Sequence, residues 1–144
     1  MNKRGGMLRI GCAQADITPE LPVLMGGSFL MFEGLTVHDP LMASCIVADD
    51  GQTRVALVSC DLGSVPQDMT QAIREQVNRA TGTPCANIQL MATHNHSCPT
   101  VFPMCDLPFH QGDEPSRARR ETTRRKFVDD IAACVIAAHK NPVA

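Results

Sequence analysis

Two apolar stretches in the middle of the chain have the length and composition of β-strands. Residues 41–48, LMASCIVA, and residues 53–60, TRVALVSC, flank the turn sequence Asp49-Asp50-Gly51. Asp-Gly between two such stretches is a strong hairpin signal, so we predict that these strands pair antiparallel. The second stretch is almost continuously apolar, which is typical of a strand that is covered on both of its faces.

A helix and a further strand are predicted after this hairpin. The apolar residues that recur there at helical spacing are Met69, Ala72, Ile73, Val77 and Ala80. Ser64 is the predicted N-cap, with Gln67 placed for a capping box, and Gly82 predicts the end of the helix. Residues 87–93, NIQLMAT, then read as a buried strand. Residues 53–93 are therefore expected to form a right-handed strand-helix-strand crossover.

The two ends of the chain add one strand and one long helix. Residues 7–13, LRIGCAQ, alternate well enough for a short strand, and an apolar stripe predicts a carboxyl-terminal helix over about residues 117–140. Two long segments, 21–40 and 97–115, contain glycines and prolines without periodicity, and irregular segments of this length are often functional. We predict a single α/β domain over residues 1–144, with a mixed sheet of about four strands.

Composition and charge indicate which kinds of binding partner are not expected. The formal net charge is −2 at pH 7, aromatic residues make up 3% of the chain, and all of them are Phe. Nucleic acid is therefore not an expected partner, and neither is stable membrane insertion. The seven cysteines are an odd number, and no signal peptide or membrane-spanning run is apparent in the sequence. These features favour a cytoplasmic protein.

Side chains that could carry chemistry follow the two strands of the predicted crossover. Asp61 comes directly after the first strand, and His94 and His96 come directly after the second. Because both strands end at one edge of the sheet, we expect these side chains to lie close together. Two imidazoles at a strand end suit zinc, although a His-x-His pair is on composition alone more often unliganded. Gly26-Gly27, in the first long segment, either lets a backbone approach a ligand or forms a plain turn.

Four segments, taken in order, carry a resemblance to a known family. They are ADITP at 15–19, VHDPLMAS at 37–44, VSCDLGSVPQ at 58–67 and ATHNHSCP at 92–99. The last segment is similar to ATHTHSGP, the zinc-site motif of the neutral ceramidases, with Asn95 in place of Thr and Cys98 in place of Gly. The chain thus resembles the amino-terminal segment of the catalytic domain in the neutral/alkaline, non-lysosomal ceramidase family.

This resemblance implies a zinc-dependent amide hydrolase that cleaves an N-acyl bond with metal-activated water. The implied zinc ligand is His94. His96 would lie beside the metal and face substrate or bound water, and Asp61 would be a hydrogen-bond acceptor behind them, so His96 and Asp61 are the implied catalytic residues. The implied substrate is a small-molecule or lipid amide such as ceramide.

The same resemblance implies that this chain supplies only part of the site. In the family a second His, a Glu and a Tyr complete the metal site much further along, and this chain contains no Tyr. The remaining ligands are then expected from a missing carboxyl-terminal half or through self-association. One alternative is a non-catalytic binding module or fragment with the same fold. Another is a self-contained zinc site built from residues of one loop, namely His94, His96, Cys98, Cys105 and His110.

Overall fold

The predicted hairpin lies inside a mixed β-sheet that carries the site at one of its ends. The structure is a computed structural model and describes residues 7–27, 32–102 and 114–143. The strands are β1 (Arg9–Asp16), β2 (Val23–Leu24), β3 (Glu33–Gly34), β4 (Met42–Asp49), β5 (Arg54–Cys60), β6 (Ile88–Ala92) and β7 (Pro142–Val143). The helices are α1 (Gln67–Thr81), a single 3₁₀ turn at Cys85–Asn87, and α2 (Glu114–Lys140).

The sheet has the strand order β6-β5-β4-β1-β7, and a separate small ribbon pairs β2 with β3. Strands β4 and β5 pair antiparallel, with Ala43 opposite Cys60, whereas β5 and β6 pair parallel. The predicted α/β class, the hairpin, the strand-helix-strand segment and the long carboxyl-terminal helix are confirmed. The structure adds β7, a two-residue strand at the edge beside β1.

The end of α1 was predicted correctly, but its start was not. Gly82 adopts the left-handed conformation, with φ of 72°, and its N–H donates to the carbonyl of Asn78. At the other end the N-cap is Pro66, without a side-chain capping bond, so the predicted Ser64 cap is wrong. A cap at Ser64 would require helical dihedral angles at Val65, and the proline that follows disfavours them.

A single apolar core lies on one face of the sheet, beneath α1 and α2. Its fully buried side chains come from both helices, from the strands and from the residues just after β1 and β5, and the largest are Phe127, Ile17, Leu62, Ile73, Ile88 and Ile131. Along β4 and β5 the buried positions alternate, so Cys45 and Val58 face each other in the core.

The opposite face of the sheet is open in the part of the chain that the structure describes. Ile46, Leu57 and Met91 are 50%, 48% and 44% exposed, although all three are large and apolar. The expectation that residues 53–60 are covered on both faces is therefore not met, because both helices pack on the same side. Among the described residues, no helix is long and apolar enough to span a bilayer.

Candidate metal centre

The parallel pairing of β5 and β6 continues past the ends of the strands and carries the predicted site residues together. The N–H of Thr93 donates to the carbonyl of Cys60 at 2.9 Å, and the N–H of Asn95 donates to the carbonyl of Leu62 at 3.2 Å. The loop that carries the histidines is thus held beside the loop that follows β5. The topology of the crossover places both loops at the carboxyl-terminal edge of the sheet.

Asp61 connects this edge of the sheet to strand β4 by hydrogen bonds. One carboxylate oxygen accepts the N–H of Met42 at 3.0 Å, and the other accepts the hydroxyl of Thr93 at 3.2 Å. Asp61 is therefore hydrogen-bonded to Thr93, the residue that precedes His94. The predicted catalytic role of Asp61 stays a prediction.

His94 is held by the loop after β5. Its backbone has a φ of 61°, the left-handed region that residues with a side chain seldom adopt. Its ring Nδ1 lies 2.9 Å from the carbonyl oxygen of Gly63. The backbone turn and this bond together fix the direction of an otherwise exposed imidazole.

His96 is held by the other long loop, near residue 27. Its Nδ1 lies 2.9 Å from the carbonyl oxygen of Gly27, and its Nε2 lies 3.2 Å from the Nε2 of His94. The two rings are almost perpendicular, with an interplanar angle of 86° and 4.7 Å between centroids. The structure therefore brings both predicted histidines to one point at the protein surface.

The two carbonyl partners determine the tautomer of each ring. A carbonyl oxygen can only accept a hydrogen bond, so Nδ1 of both imidazoles must carry the proton. In a neutral ring Nε2 is then unprotonated, with its lone pair available. The Nε2 atoms of His94 and His96 lie 3.2 Å apart. Their lone pairs repel each other unless a cation is bound there, either a proton, which makes a hydrogen bond between the rings, or a metal ion, so imidazole donors at this point fit a metal ion.

Gly26 and Gly27 allow the first long loop to pack against the histidine loop. The N–H of Gly26 donates to the carbonyl of Cys98 at 3.0 Å, and the N–H of Thr100 donates to the carbonyl of Leu24 at 2.8 Å. A Cβ added to Gly27 would lie 1.6 Å from the carbonyl oxygen of His96, which no side chain tolerates. The close backbone approach that the sequence allowed at Gly26-Gly27 is therefore made to the loop that carries the histidines. The carbonyl groups of Gly27 and Gly63 were not predicted as hydrogen-bond partners of the histidine rings. For Gly27, the pair of adjacent glycines was a sequence signal that could have indicated this contact.

Cys98, the residue that departs from the family motif, lies buried behind the histidines. Its Sγ accepts the N–H of Gly63 and donates to the carbonyl of Asn95, at 3.0 Å in each case. Burial raises the pKa of this thiol, which keeps it protonated. Cys98 therefore links the loop that follows β5 to the loop that carries both histidines.

Within residues 7–27, 32–102 and 114–143, no group of three or more His, Cys, Asp or Glu side chains is arranged to hold a metal ion. The histidine pair provides two donors. Cys105 and His110, which belong to the alternative self-contained site, lie outside the described residues.

A cavity lies on the other side of the histidine loop. It has a volume of about 650 Å³ and is lined by Asp61, Thr93, Asn95 and Ser97, together with apolar residues of the first long loop. His38 also lines it, and its Nδ1 donates to Asp39 at 2.7 Å. Neither His94 nor His96 lines this cavity, so we assign the candidate chemistry to the exposed imidazoles and not to the cavity.

Comparisons with solved structures agree with this fold. No protein-family model matches the chain, and no curated protein matches it either. Among solved structures, the chain is similar to a ceramidase complexed with C2, with a TM-score of 0.74 and 26% identity over 94% of this chain and 21% of that one. It is also similar to the neutral ceramidase from Pseudomonas aeruginosa, with a TM-score of 0.71 and 25% identity over 94% of this chain and 22% of that one.

The fold defines a ceramidase-like α/β unit. More particularly, the structural neighbours are neutral ceramidases, which confirms the resemblance drawn from the sequence motifs. The chain spans about a fifth of the length of these neighbours.

Proposed function

We propose that this chain contributes the first part of the active site of a zinc-dependent amide hydrolase of the neutral ceramidase type. The observation that carries the proposal is the pair of Nε2 atoms of His94 and His96, 3.2 Å apart, at the sheet edge shared by β5 and β6. The substrate class follows from the neighbours, which are ceramidases by name. It is an amide with an N-acyl chain, and the bond that breaks joins the acyl carbonyl to nitrogen.

Zinc bound here would polarise the amide carbonyl and lower the pKa of a bound water from 15.7 to about 7. His94 would present its Nε2 to the metal, and the Nδ1–H bond to the carbonyl of Gly63 would orient the ring and increase its basicity. His96 brings a second ring nitrogen to the same point. Asp61 accepts hydrogen bonds from Thr93, at the start of the histidine loop, and from Met42 in β4, and so connects this loop to β4.

Structural and catalytic zinc sites normally have at least three protein ligands. The described residues bring two imidazoles together and no larger donor group. The remaining donors of the proposed enzyme would therefore come from polypeptide outside the described residues, either from a carboxyl-terminal half or from another chain. This division agrees with the share of the neighbours that the chain spans.

The same absence of a third donor among the described residues favours a second candidate function. In that case the chain is a non-catalytic binding module that has the ceramidase-like fold and the histidine edge but takes part in no hydrolysis. The two candidates differ in whether the histidine pair supports bond cleavage once the other ligands are supplied.

A chimeric enzyme tests this difference. The chain would replace the matching fifth of the Pseudomonas aeruginosa neutral ceramidase, and release of fatty acid from a short-chain ceramide would be measured together with zinc content. We expect hydrolysis in the chimera, and His94→Ala should reduce it by about two orders of magnitude or more. His38→Ala is the matched control, since His38 is exposed and its ring is hydrogen-bonded to its neighbour Asp39.

A chimera that melts cooperatively and holds zinc but releases no fatty acid would support the binding module instead. A folded chimera in which His94→Ala leaves hydrolysis unchanged would contradict the role of His94.

A further inference from the structure

We propose that Arg124, on α2, is a positioning residue for the ring of His96. It acts through residues 98–101, which follow the histidines and pair with the first long loop. The proposal rests on the proposed function only for the reaction that this positioning would serve, since the contacts that carry it involve neither a metal nor a substrate. It gives a role to one member of an arginine-rich stretch, residues 117–126, that the candidate site leaves unused.

Arg124 is a buried cation that joins three parts of the fold. Its side chain is only 10% exposed. One nitrogen of its guanidinium donates to the carbonyl of Val101, and another donates to the carboxylate of Asp68 in α1. Its Nε lies 3.6 Å from Glu121, one turn earlier on α2. Burying a charge costs free energy unless the charge is paired, and the planar guanidinium bonds several acceptors at once. Arg124 therefore fixes the chain just after the histidines to both helices.

Residues 98–101 in turn hold the first long loop. The N–H of Gly26 donates to the carbonyl of Cys98 at 3.0 Å, and the N–H of Thr100 donates to the carbonyl of Leu24 at 2.8 Å. These bonds lie on either side of an antiparallel bridge, so the two stretches form a short ladder. A shift of the chain at residue 101 would therefore also shift residues 24–26.

This series of contacts ends at His96. Gly27 comes directly after the ladder, and its carbonyl oxygen lies 2.9 Å from Nδ1 of His96. The Nδ1 of His94 instead lies 2.9 Å from the carbonyl of Gly63, in the loop that follows β5. Loss of the Arg124 contacts should therefore release the ring of His96 and affect that of His94 less.

The next residue along the chain, Arg125, is a matched control. Its side chain is 71% exposed, and its Nε lies 4.0 Å from the same Glu121. Exposed ion pairs of this kind contribute little to stability or to order. Arg125→Met thus removes the same charge from the same helix turn without removing a buried contact.

Nitrogen NMR of the histidine rings in the zinc-free 144-residue chain tests the proposal. At about pH 8 imidazoles are ordinarily neutral, and a ring whose Nδ1–H donates to a carbonyl is held in one tautomer. We expect this tautomer for both His94 and His96 in the unmodified chain. In Arg124→Met, His96 should become a mixture of both tautomers, whereas His94 should keep the Nδ1–H form.

The Met variant is chosen to preserve the fold. Methionine is a long, flexible apolar side chain that fills the space of the buried stem. Asp68 and Glu121 are 69% and 59% exposed, so water can solvate both carboxylates once the guanidinium is gone. Arg124→Lys retains the cation in case the Met variant does not fold. Its single ammonium lacks the fork that reaches Val101 and Asp68 together, so His96 should change in the same direction but less.

Two further variants separate positioning from stability. Arg125→Met should leave both rings as they are in the unmodified chain. Phe127→Ala, in the core beneath the same helix, should lower the melting temperature and also leave both tautomers unchanged. If Phe127→Ala changes the rings as Arg124→Met does, the change reflects a general loss of order, and the proposal is overturned.

The remaining outcomes separate this proposal from the proposed function. Retention of the Nδ1–H tautomer by His96 in both Arg124 variants would overturn the proposal, and so would equal changes at His94 and His96. In the chimeric enzyme, Arg124→Met should reduce fatty-acid release about tenfold or more relative to Arg125→Met. Equal release from these two chimeras would overturn a role of Arg124 in hydrolysis. If the unsubstituted chimera is inactive, the proposed function fails, and the NMR measurement still decides whether Arg124 positions His96.

Discussion

The core beneath the sheet and the histidine loop at its edge are held by different kinds of interaction. The core consists of apolar side chains with almost no exposed area, such as Phe127 and Ile131. The loop has exposed imidazoles, and what fixes them is a small set of hydrogen bonds to the main chain at Gly27 and Gly63. A change in the core should therefore reduce stability without moving the site, whereas a change in the loop should alter metal binding more than stability.

The largest effect on stability is expected from Phe127→Ala. Phe127 is the largest fully buried side chain, and removing its ring leaves a cavity between α2 and the sheet. The free energy of unfolding should fall by about 3–5 kcal/mol, which is a large part of the total for a domain of this size. Urea denaturation followed by circular dichroism measures it.

The matched control for this substitution lies on the open face of the sheet. Leu57 is 48% exposed, so Leu57→Ala should change the free energy of unfolding much less than Phe127→Ala does. Equal losses for the two variants would mean that the open face is covered in solution and that the contrast between the two faces does not hold.

Alkaline pH should also weaken the core, through its buried thiols. Burial raises the pKa of Cys45 and of Cys60 from 9.0 to about 12. Between these values the unfolded chain loses protons that the folded core retains, so unfolding becomes progressively more favourable. The stabilisation is fully present below about pH 9 and is lost as the pH rises towards 12.

At pH 10 each thiol should lower the free energy of unfolding by about 1 kcal/mol, as measured by urea denaturation across this range. The double variant Cys45→Ala, Cys60→Ala should show a flatter dependence on pH than the unmodified chain. If the stability of the double variant depends on pH as that of the unmodified chain does, the loss of stability at alkaline pH comes from the ionisation of other groups.

The histidine loop should respond most strongly to Gly27→Ala. The new Cβ would lie 1.6 Å from the carbonyl oxygen of His96, so the two loops must separate. The carbonyl of Gly27 then no longer holds Nδ1 of His96. Zinc affinity, measured by calorimetry, should fall about tenfold or more, with a smaller loss of stability than in Phe127→Ala.

Gly63→Ala is the matched control, because a Cβ there would lie 3.4 Å from its nearest neighbour, the carbonyl oxygen of Asn95. It should retain zinc affinity close to that of the unmodified chain. A Gly27→Ala variant with unchanged affinity would show that the contact between the loops does not position His96.

Periodicity in the sequence predicts the core and the order of its elements. The spacing of Met69, Ile73 and Val77 predicted α1, and the Asp-Gly turn predicted the hairpin, since each pattern reflects contacts between residues close in sequence. The rule that parallel strands end at one edge then placed Asp61 and His94 side by side. Local patterns and one topological rule were therefore enough to locate the candidate site.

The hydrogen-bond partners of the histidines were not predictable in the same way. Gly27 and His96 are 69 positions apart, and their contact joins two irregular loops by main-chain atoms. Main-chain carbonyls are present at every residue, so no sequence pattern distinguishes the one that accepts from His96. The open face of the sheet was not predicted for a related reason. An apolar strand indicates that its side chains are buried, but it does not indicate whether other elements cover one face of the sheet or both.

The smallest effect is expected at Cys98, where the core and the histidine loop meet. Its thiol connects the N–H of Gly63 to the carbonyl of Asn95, and the carbonyl of Gly63 holds Nδ1 of His94. Cys98→Ala removes both bonds, each worth about 0.5–1.5 kcal/mol, and should loosen Gly63 enough to weaken zinc binding a few-fold.

Cys98→Ser keeps one donor and one acceptor at the same position, so calorimetry should find its zinc affinity nearer to that of the unmodified chain. If Ala and Ser weaken zinc binding equally, Cys98 acts only by filling space and belongs with the core. If Ser alone preserves the affinity, the thiol positions His94 through Gly63, and the interactions that fix the site extend into the buried interior.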